Sequence, residues 1–116
     1  MAITRIEPGV RFCKVVVHGD TVYVAGQTAQ KSAGGSVSDQ TREILAIIDD
    51  ALAKAGTDKT KMLMVNIWLT DISKFAEMNA VWDAWVPKDN MPARATVEAK
   101  LAASNLNVEI AVIAAK

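Results

Sequence analysis

The chain has 116 residues, of which 51% are hydrophobic, and its 13 basic and 13 acidic side chains give a formal net charge of zero. These values predict one globular domain, residues 1–116, and weigh against nucleic-acid binding, which relies on excess positive charge. The single cysteine, Cys13, excludes an intrachain disulfide and a thiolate metal site. No apolar run is long enough for a signal peptide or a membrane span, so a cytoplasmic protein without membrane contact is expected.

The N-terminal part of the sequence predicts β structure. Two valine-rich runs, residues 15–17 and 22–24, flank Gly19 and Asp20. Glycine followed by a short polar residue suits a tight turn with positive φ, so these runs are predicted to form a hairpin. A short additional strand over residues 3–7 is compatible with the pattern.

The middle of the chain predicts a helix over residues 39–55. Its apolar residues recur at steps of three and four, as on one face of an α-helix. Ser38 or Asp39 is placed to cap the start of the helix, and Gly56 is placed to end it.

The C-terminal half predicts a second helix and three strands. The helix would be capped by Ser73, would carry apolar residues at helical spacing, and would end at Pro87. The predicted strands cover residues 62–70, 94–101 and 107–115. The resulting order, ββ-α-β-α-ββ, favours an α+β fold in which two helices cover one face of a mixed sheet. The other face would need a partner, most simply another copy of the chain.

Arg94 is the first candidate site residue. It follows a proline at the start of a predicted strand, on a face shared with Thr96, Glu98 and Lys100, and the alternate face, which carries Val97, is predicted to be core. Arginine stays charged and offers a planar fork that matches a carboxylate. Arg94 could therefore bind an anion, or it could be a solvated or ion-paired charge at the strand end.

Glu109 is the second candidate. In the last strand it shares a face with Ala111 and Ile113, and a carboxylate on an apolar face is costly to desolvate unless it is paired. It could form an ion pair with Arg94 or Lys100, it could be functional, or it could do both.

Two further positions are ambiguous from local pattern. Gly26 ends a predicted strand, where a glycine marks either a bend or the close approach of another group. Asn79 lies on the second helix, where the local pattern favours a polar flank. No phosphate-binding loop, metal-ligand spacing or serine-hydrolase motif is present, so no metal or cofactor is expected.

Four segments together resemble the YjgF/RidA family, also described as endoribonuclease L-PSP or translation inhibitor. They are "VYVAGQTA", "FAEMNAVWDAW", "PARATVEAKLA" and "VEIAVIAA", and the likeness runs from about residue 11 to residue 115. The resemblance implies a chorismate-mutase-like α+β fold assembled as a homotrimer, with a central barrel and a cleft between each pair of neighbouring subunits. It also implies hydrolysis of reactive 2-enamine and 2-imine acids, such as 2-aminoacrylate, to 2-keto acids and ammonia.

The resemblance also suggests roles for individual residues. By position, the family's carboxylate-binding arginine falls on Arg94, and its acidic residue, which would position the attacking water, falls on Glu109. The strand-end glycine falls on Gly26 and the cleft asparagine on Asn79.

Two positions depart from the typical deaminase, and the segment "VRFCKVVVHGD" looks more like the YoaB-like branch. Phe12 stands where the typical deaminase has a tyrosine, and Thr96 stands where it frequently has a cysteine. Both are expected to contact the substrate. The alternative functions are a non-catalytic sensor of small carboxylates such as 2-keto acids and, with less support, a ribonuclease or translation inhibitor.

Overall fold

The protein, described over all 116 residues by a computed structural model, contains six strands and two α-helices. Their bounds are β1 Ile3–Pro8, β2 Cys13–His18, β3 Thr21–Thr28, α1 Val37–Lys54, β4 Met62–Leu69, α2 Phe75–Trp85, β5 Ala93–Glu98 and β6 Val108–Ala115. The predicted order of elements is confirmed, including the additional N-terminal strand. Neither helix combines the length and hydrophobicity needed to cross a membrane.

All six strands form one mixed sheet in the order β1-β2-β3-β6-β4-β5. Every neighbouring pair is antiparallel except β4 and β5, which run parallel and are joined through α2. The β2–β3 hairpin turns at Gly19, whose φ of 61° lies in the region that glycine tolerates. The strand β3 is irregular between Val24 and Gln27, where its pairing with β6 shifts register.

The helix α1 begins at Val37, two residues earlier than predicted, because its cap is Ser36. The Ser36 hydroxyl accepts a hydrogen bond from the backbone N–H of Asp39. Ser38, one of the two predicted caps, instead donates from its backbone N–H and its hydroxyl to the carboxylate of Glu77 on α2, at 2.9 and 3.2 Å. The predicted stop is confirmed, since Gly56 follows the helix with a φ of 81°.

The helix α2 begins at Phe75, so the prediction that Ser73 caps it is wrong. A short 3-10 turn, Ile72–Lys74, precedes the helix, and Asp71 caps this turn. The Asp71 carboxylate accepts from the backbone N–H and the hydroxyl of Ser73, at 3.0 and 2.6 Å. These two hydrogen bonds occupy the serine side chain that was predicted to cap α2.

Buried side chains lie between the two helices and one face of the sheet. The helix α1 packs on β3, β6 and α2. The fully buried residues include Ile44, Leu52, Val65, Ile67 and Ile110. The prediction that the helices cover only one face is confirmed. The opposite face, called here the open face, carries partly exposed apolar side chains, among them Tyr23, Trp68, Val97 and Ile113.

The strand β5 lies at the edge of the sheet and differs from its prediction in two ways. It ends at Glu98 rather than residue 101, because its only neighbour, β4, ends at Leu69. Its predicted core face is the open face, where Val97 is 51% exposed. The alternate side chains, Arg94 and Thr96, lie beside Val65 and Ile67 on the face that the helices cover.

The loop before α1 is held by Glu43, and this contact predicts a pH dependence of stability. The Glu43 carboxylate accepts from the Ser32 hydroxyl at 2.6 Å and from the backbone N–H groups of Gln30, Lys31 and Ser32. These hydrogen bonds, the hydroxyl of Ser32 first, lower the pKa of Glu43 from 4.5 to about 2. The contribution of the ionised Glu43 carboxylate to the free energy of unfolding is therefore complete above pH 4.5 and is lost as the pH falls towards 2.

Glu43→Gln should therefore lower the urea midpoint at pH 7, and the difference from wild type should shrink between pH 4.5 and 2. Unfolding would be measured at one fixed protein concentration, because any association of copies would add to the apparent stability. Asp89→Asn, at an exposed carboxylate, is the matched control for the loss of one negative charge and should leave the urea midpoint at pH 7 unchanged. A difference between Glu43→Gln and wild type that is constant with pH would contradict the assignment.

Candidate functional site

Arg94 projects from the edge strand towards α2 and has no acidic partner. Its Nη1 donates to Oδ1 of Asn79 at 2.8 Å, and none of the ion pairs of the protein involves it. Burial lowers the pKa of Arg94, while the charge of Asp83 acts in the opposite direction. A partly desolvated guanidinium with a neutral partner is an incomplete arrangement, since buried charges are normally paired.

Two aromatic rings of α2 complete the surroundings of Arg94. The guanidinium carbon lies 5.6 Å from the centre of the Phe75 ring and 5.2 Å from that of Trp82. Phe75, Asn79 and Trp82 are spaced by four and three residues, so they share one face of α2. Asn79 is therefore not on a polar flank, as the local pattern favoured, but between two aromatic residues that face the arginine.

Thr96 lies two residues beyond Arg94 on the same face of β5. Its hydroxyl oxygen is buried and has no hydrogen-bond partner in the protomer. A buried polar atom without a partner is uncommon and marks a position where a further group could bind. We call Arg94, Asn79, Phe75, Trp82 and Thr96 the arginine half-site.

Glu109 and Gly26 form a second close contact, between β6 and β3. A Cβ atom placed on Gly26 would lie 2.2 Å from Oε2 of Glu109 and 2.9 Å from its carboxyl carbon. No side chain larger than hydrogen fits there while the carboxylate keeps its position. Of the two interpretations of Gly26, the structure therefore supports the close approach of another group.

Phe12 lies beside the same glycine. It precedes β2, is 66% exposed, and lines with Gly26 a cavity of about 270 Å³. The other residues of this cavity are largely polar, namely Glu7, Gly9, Val10, Arg11, Lys14, Gln27, Thr28 and Gln30. We call Glu109, Gly26 and Phe12 the glutamate half-site.

The two half-sites lie far apart within one protomer. Arg94 pairs with Val65 on the helix-covered face, whereas Glu109 pairs with Trp68 on the open face. Arg94 and Glu109 are offset by three residues along β4 and by two strand spacings across the sheet, which gives a distance of about 14 Å in the plane of the sheet. The thickness of the sheet adds to this distance. The predicted alternative of an ion pair between Glu109 and Arg94 or Lys100 is wrong for the protomer, because Glu109 takes part in none of its ion pairs.

Sequence reasoning missed the two aromatic residues of the arginine half-site. Both lie in the stripe of apolar residues at helical spacing from which the second helix is predicted. The spacing of Phe75, Asn79 and Trp82 was the available signal, because it places the asparagine on that stripe. The arginine that these three residues surround lies on another element, so its position could not be read from the helix alone.

The six-stranded sheet with two helices on one face defines a mixed α+β protein. Residues 2–116 match the family model described as Endoribonuclease L-PSP, and the chain belongs to this family. A RutC family protein from Haemophilus influenzae is 42% identical, and the match covers 98% of each chain. The RutC family protein YoaB from Escherichia coli is 39% identical over 99% of each chain.

Solved structures agree with this assignment. A YjgF family protein from Neisseria meningitidis superposes with a TM-score of 0.96 at 38% identity, and the match covers 100% of this chain and 96% of that one. The predicted membership in the YjgF/RidA family, with similarity to YoaB, is confirmed.

Proposed function

We propose that the protein hydrolyses reactive 2-enamine and 2-imine acids to 2-keto acids and ammonia. The observation that carries this proposal is the unpaired guanidinium of Arg94, which is partly buried and bonded only to the neutral Asn79. Such a group is completed by an anion, and its planar fork matches a carboxylate, which every 2-imino acid carries. Asn79 and Thr96 would contribute further contacts to the same ligand.

The reaction needs little beyond positioning, because the carbon of an imine is already electrophilic. An enamine first takes up a proton at its β-carbon, and an imine takes up a proton at its nitrogen, so that both give the same iminium ion. Water then adds to C2 while Glu109 accepts a proton from it, and the nitrogen takes up a proton. The C–N bond breaks, ammonia leaves, and loss of the remaining hydroxyl proton gives the 2-keto acid. Arg94 fixes the carboxylate of the substrate throughout, and the proposal assigns no step to a metal or cofactor.

The complete site would lie between two copies of the chain. One substrate molecule cannot contact Arg94 and Glu109 of the same protomer, because these residues lie on opposite faces of the sheet. The open face supplies partly exposed apolar surface for association, including Tyr23 and Val97. We propose the homotrimer that the family resemblance implies, in which each cleft joins the arginine half-site of one subunit to the glutamate half-site of its neighbour.

A non-catalytic protein that binds small carboxylates is the second candidate. The observation that favours it is Phe12, which lines the cavity beside Gly26 without the hydroxyl of the typical deaminase. Ribonuclease activity, which the family description names, has less support, because the net charge is zero and no residue pair suited to nucleophilic attack was found.

A coupled assay separates the two candidates. An amino acid oxidase supplies a panel of 2-imino acids, and semicarbazide competes for them as the purified protein is added. A deaminase suppresses semicarbazone formation, and the panel ranks its substrates. If semicarbazone formation is unchanged while 2-ketobutyrate raises the melting temperature, the protein binds carboxylates without turning over imines. If the protein shows neither suppression of semicarbazone formation nor a higher melting temperature at millimolar ligand, both candidates are refuted.

Gly26→Ala tests the contact between Gly26 and Glu109. The added methyl group would displace the carboxylate, so kcat should fall by about 10- to 100-fold, as expected for a general base moved from its position. Gly34→Ala is a control for backbone strain without a clash, since alanine is strained at the Gly34 φ of 86° but no neighbour lies within 4 Å of an added Cβ. Wild-type kcat in Gly26→Ala would show that the position of Glu109 is unimportant for turnover.

A further inference from the structure

We propose that Phe75 and Trp82 are positioning residues for Arg94, whose rings hold its guanidinium by cation–π contact so that its unused N–H donors remain available to a carboxylate. This inference rests on the proposed role of Arg94 in binding the substrate. It adds two residues whose contribution depends on their aromatic faces rather than on apolar volume.

The hydrogen-bond count of Arg94 is the first argument. A guanidinium has five N–H donors, and the protein provides an acceptor for one of them, through Oδ1 of Asn79 at 2.8 Å. The two rings, at 5.6 and 5.2 Å, accept no conventional hydrogen bond but present their negative faces to the cation. They can thus stabilise the charge without occupying the fork that a carboxylate needs.

The charges around Arg94 are the second argument. An acidic side chain bonded to the guanidinium would restrain it equally well, but it would compete with an anionic ligand for the same donors. Asp83 acts on Arg94 only from beyond ion-pair distance. A neutral amide and two rings therefore restrain the arginine while no carboxylate of the protein is bonded to it.

The exposure of Phe75 is the third argument. Trp82 is 5% exposed and packs in the core as well as contacting Arg94, so its presence does not by itself distinguish the two roles. Phe75 is 36% exposed at the first position of α2 and lies outside the buried cluster. Its contact with Arg94 explains an aromatic side chain at this exposed position. Because Phe75 lies outside the buried cluster, it can be substituted without changing the core.

The first test observes Arg94 directly and needs no substrate. The Nε–Hε and Nη resonances of Arg94 would be assigned by nuclear magnetic resonance, with Arg94→Lys identifying the signals, and rotation about the Nε–Cζ bond would be measured. In wild type this rotation should be slow. Phe75→Leu keeps an apolar side chain without a ring and should accelerate the rotation, whereas Phe75→Tyr should preserve the wild-type rate. Ile72→Ala, at a neighbouring residue that is 42% exposed, should also leave it unchanged.

The second test measures ligand binding by calorimetry. Phe75→Leu should lower the affinity for 2-ketobutyrate about fivefold, the loss expected for one cation–π contact, and Phe75→Tyr should retain the wild-type affinity. Affinity for the neutral 2-ketobutyramide should not change between these variants. A general loss of structure would lower the affinity for both ligands alike. The oligomer size of each variant would be checked by sedimentation.

The outcomes distinguish this inference from the proposed function. If rotation in Phe75→Leu equals that in wild type, the positioning role is refuted, whatever the enzyme assay shows. If rotation is faster but 2-ketobutyrate binding is unaffected, the rings restrain Arg94 without serving the ligand, and the inference is likewise refuted. Failure of the proposed function appears separately, as wild-type protein that shows neither turnover nor 2-keto acid binding.

Discussion

Arg94→Ala is expected to lower kcat/KM on every 2-imino acid of the panel by at least about 100-fold, because the two charge-assisted hydrogen bonds proposed to hold the substrate carboxylate would be lost. The effect should be uniform across substrate side chains, since the carboxylate is common to all of them. Folding should be preserved, because Arg94 lies on an edge strand and its removal leaves no acidic partner unpaired. The oxidase-coupled assay measures the change in rate, and sedimentation monitors the oligomer.

Two control variants sharpen this experiment. Arg94→Lys retains the charge but not the planar fork, so its activity should lie between those of wild type and Arg94→Ala. Arg42→Ala removes an arginine whose side chain is 63% exposed, and it should retain wild-type kcat/KM. If Arg94→Ala turned over imino acids like wild type while remaining oligomeric, Arg94 would not be the carboxylate-binding residue.

Mixing two inactive variants is expected to restore activity. Glu109→Gln removes the proposed proton acceptor and should lower kcat by about 100-fold or more. If each cleft takes Arg94 from one subunit and Glu109 from the next, a subunit with Glu109→Gln still supplies the arginine and a subunit with Arg94→Ala still supplies the carboxylate. Random mixing in a cyclic oligomer then gives an intact pair in roughly one cleft in four. Co-expression with two different affinity tags allows the mixed oligomers to be isolated and assayed.

The control for this experiment is a protein that carries both substitutions. Co-expressed with Arg94→Ala alone, it should restore nothing, because no subunit then supplies the arginine. Mixed oligomers of the two single variants that remain as inactive as their parents would show that Arg94 and Glu109 do not meet across a subunit boundary. The proposed cleft between subunits would then be wrong.

Local pattern was sufficient for most of the fold. The β2–β3 hairpin, the order of the elements and the glycine stop of α1 follow from alternation, helical periodicity and turn residues, which depend only on neighbours in the chain. The predicted starts of the two helices were less accurate. Ser38 and Ser73 are suitable capping residues, but Glu77 from another helix binds the first and Asp71 binds the second.

Residue type and spacing alone are enough for the fold class, the family resemblance and the candidate residues Arg94 and Glu109. Long-range packing sets which face of β5 the helices cover, since alternation separates the two faces of a strand without saying which one is buried. It also brings Arg94 against Phe75 and Trp82, and Glu109 against Gly26, on opposite sides of the sheet. Residues distant in sequence make these contacts, and they are settled only when the strand order brings the segments together.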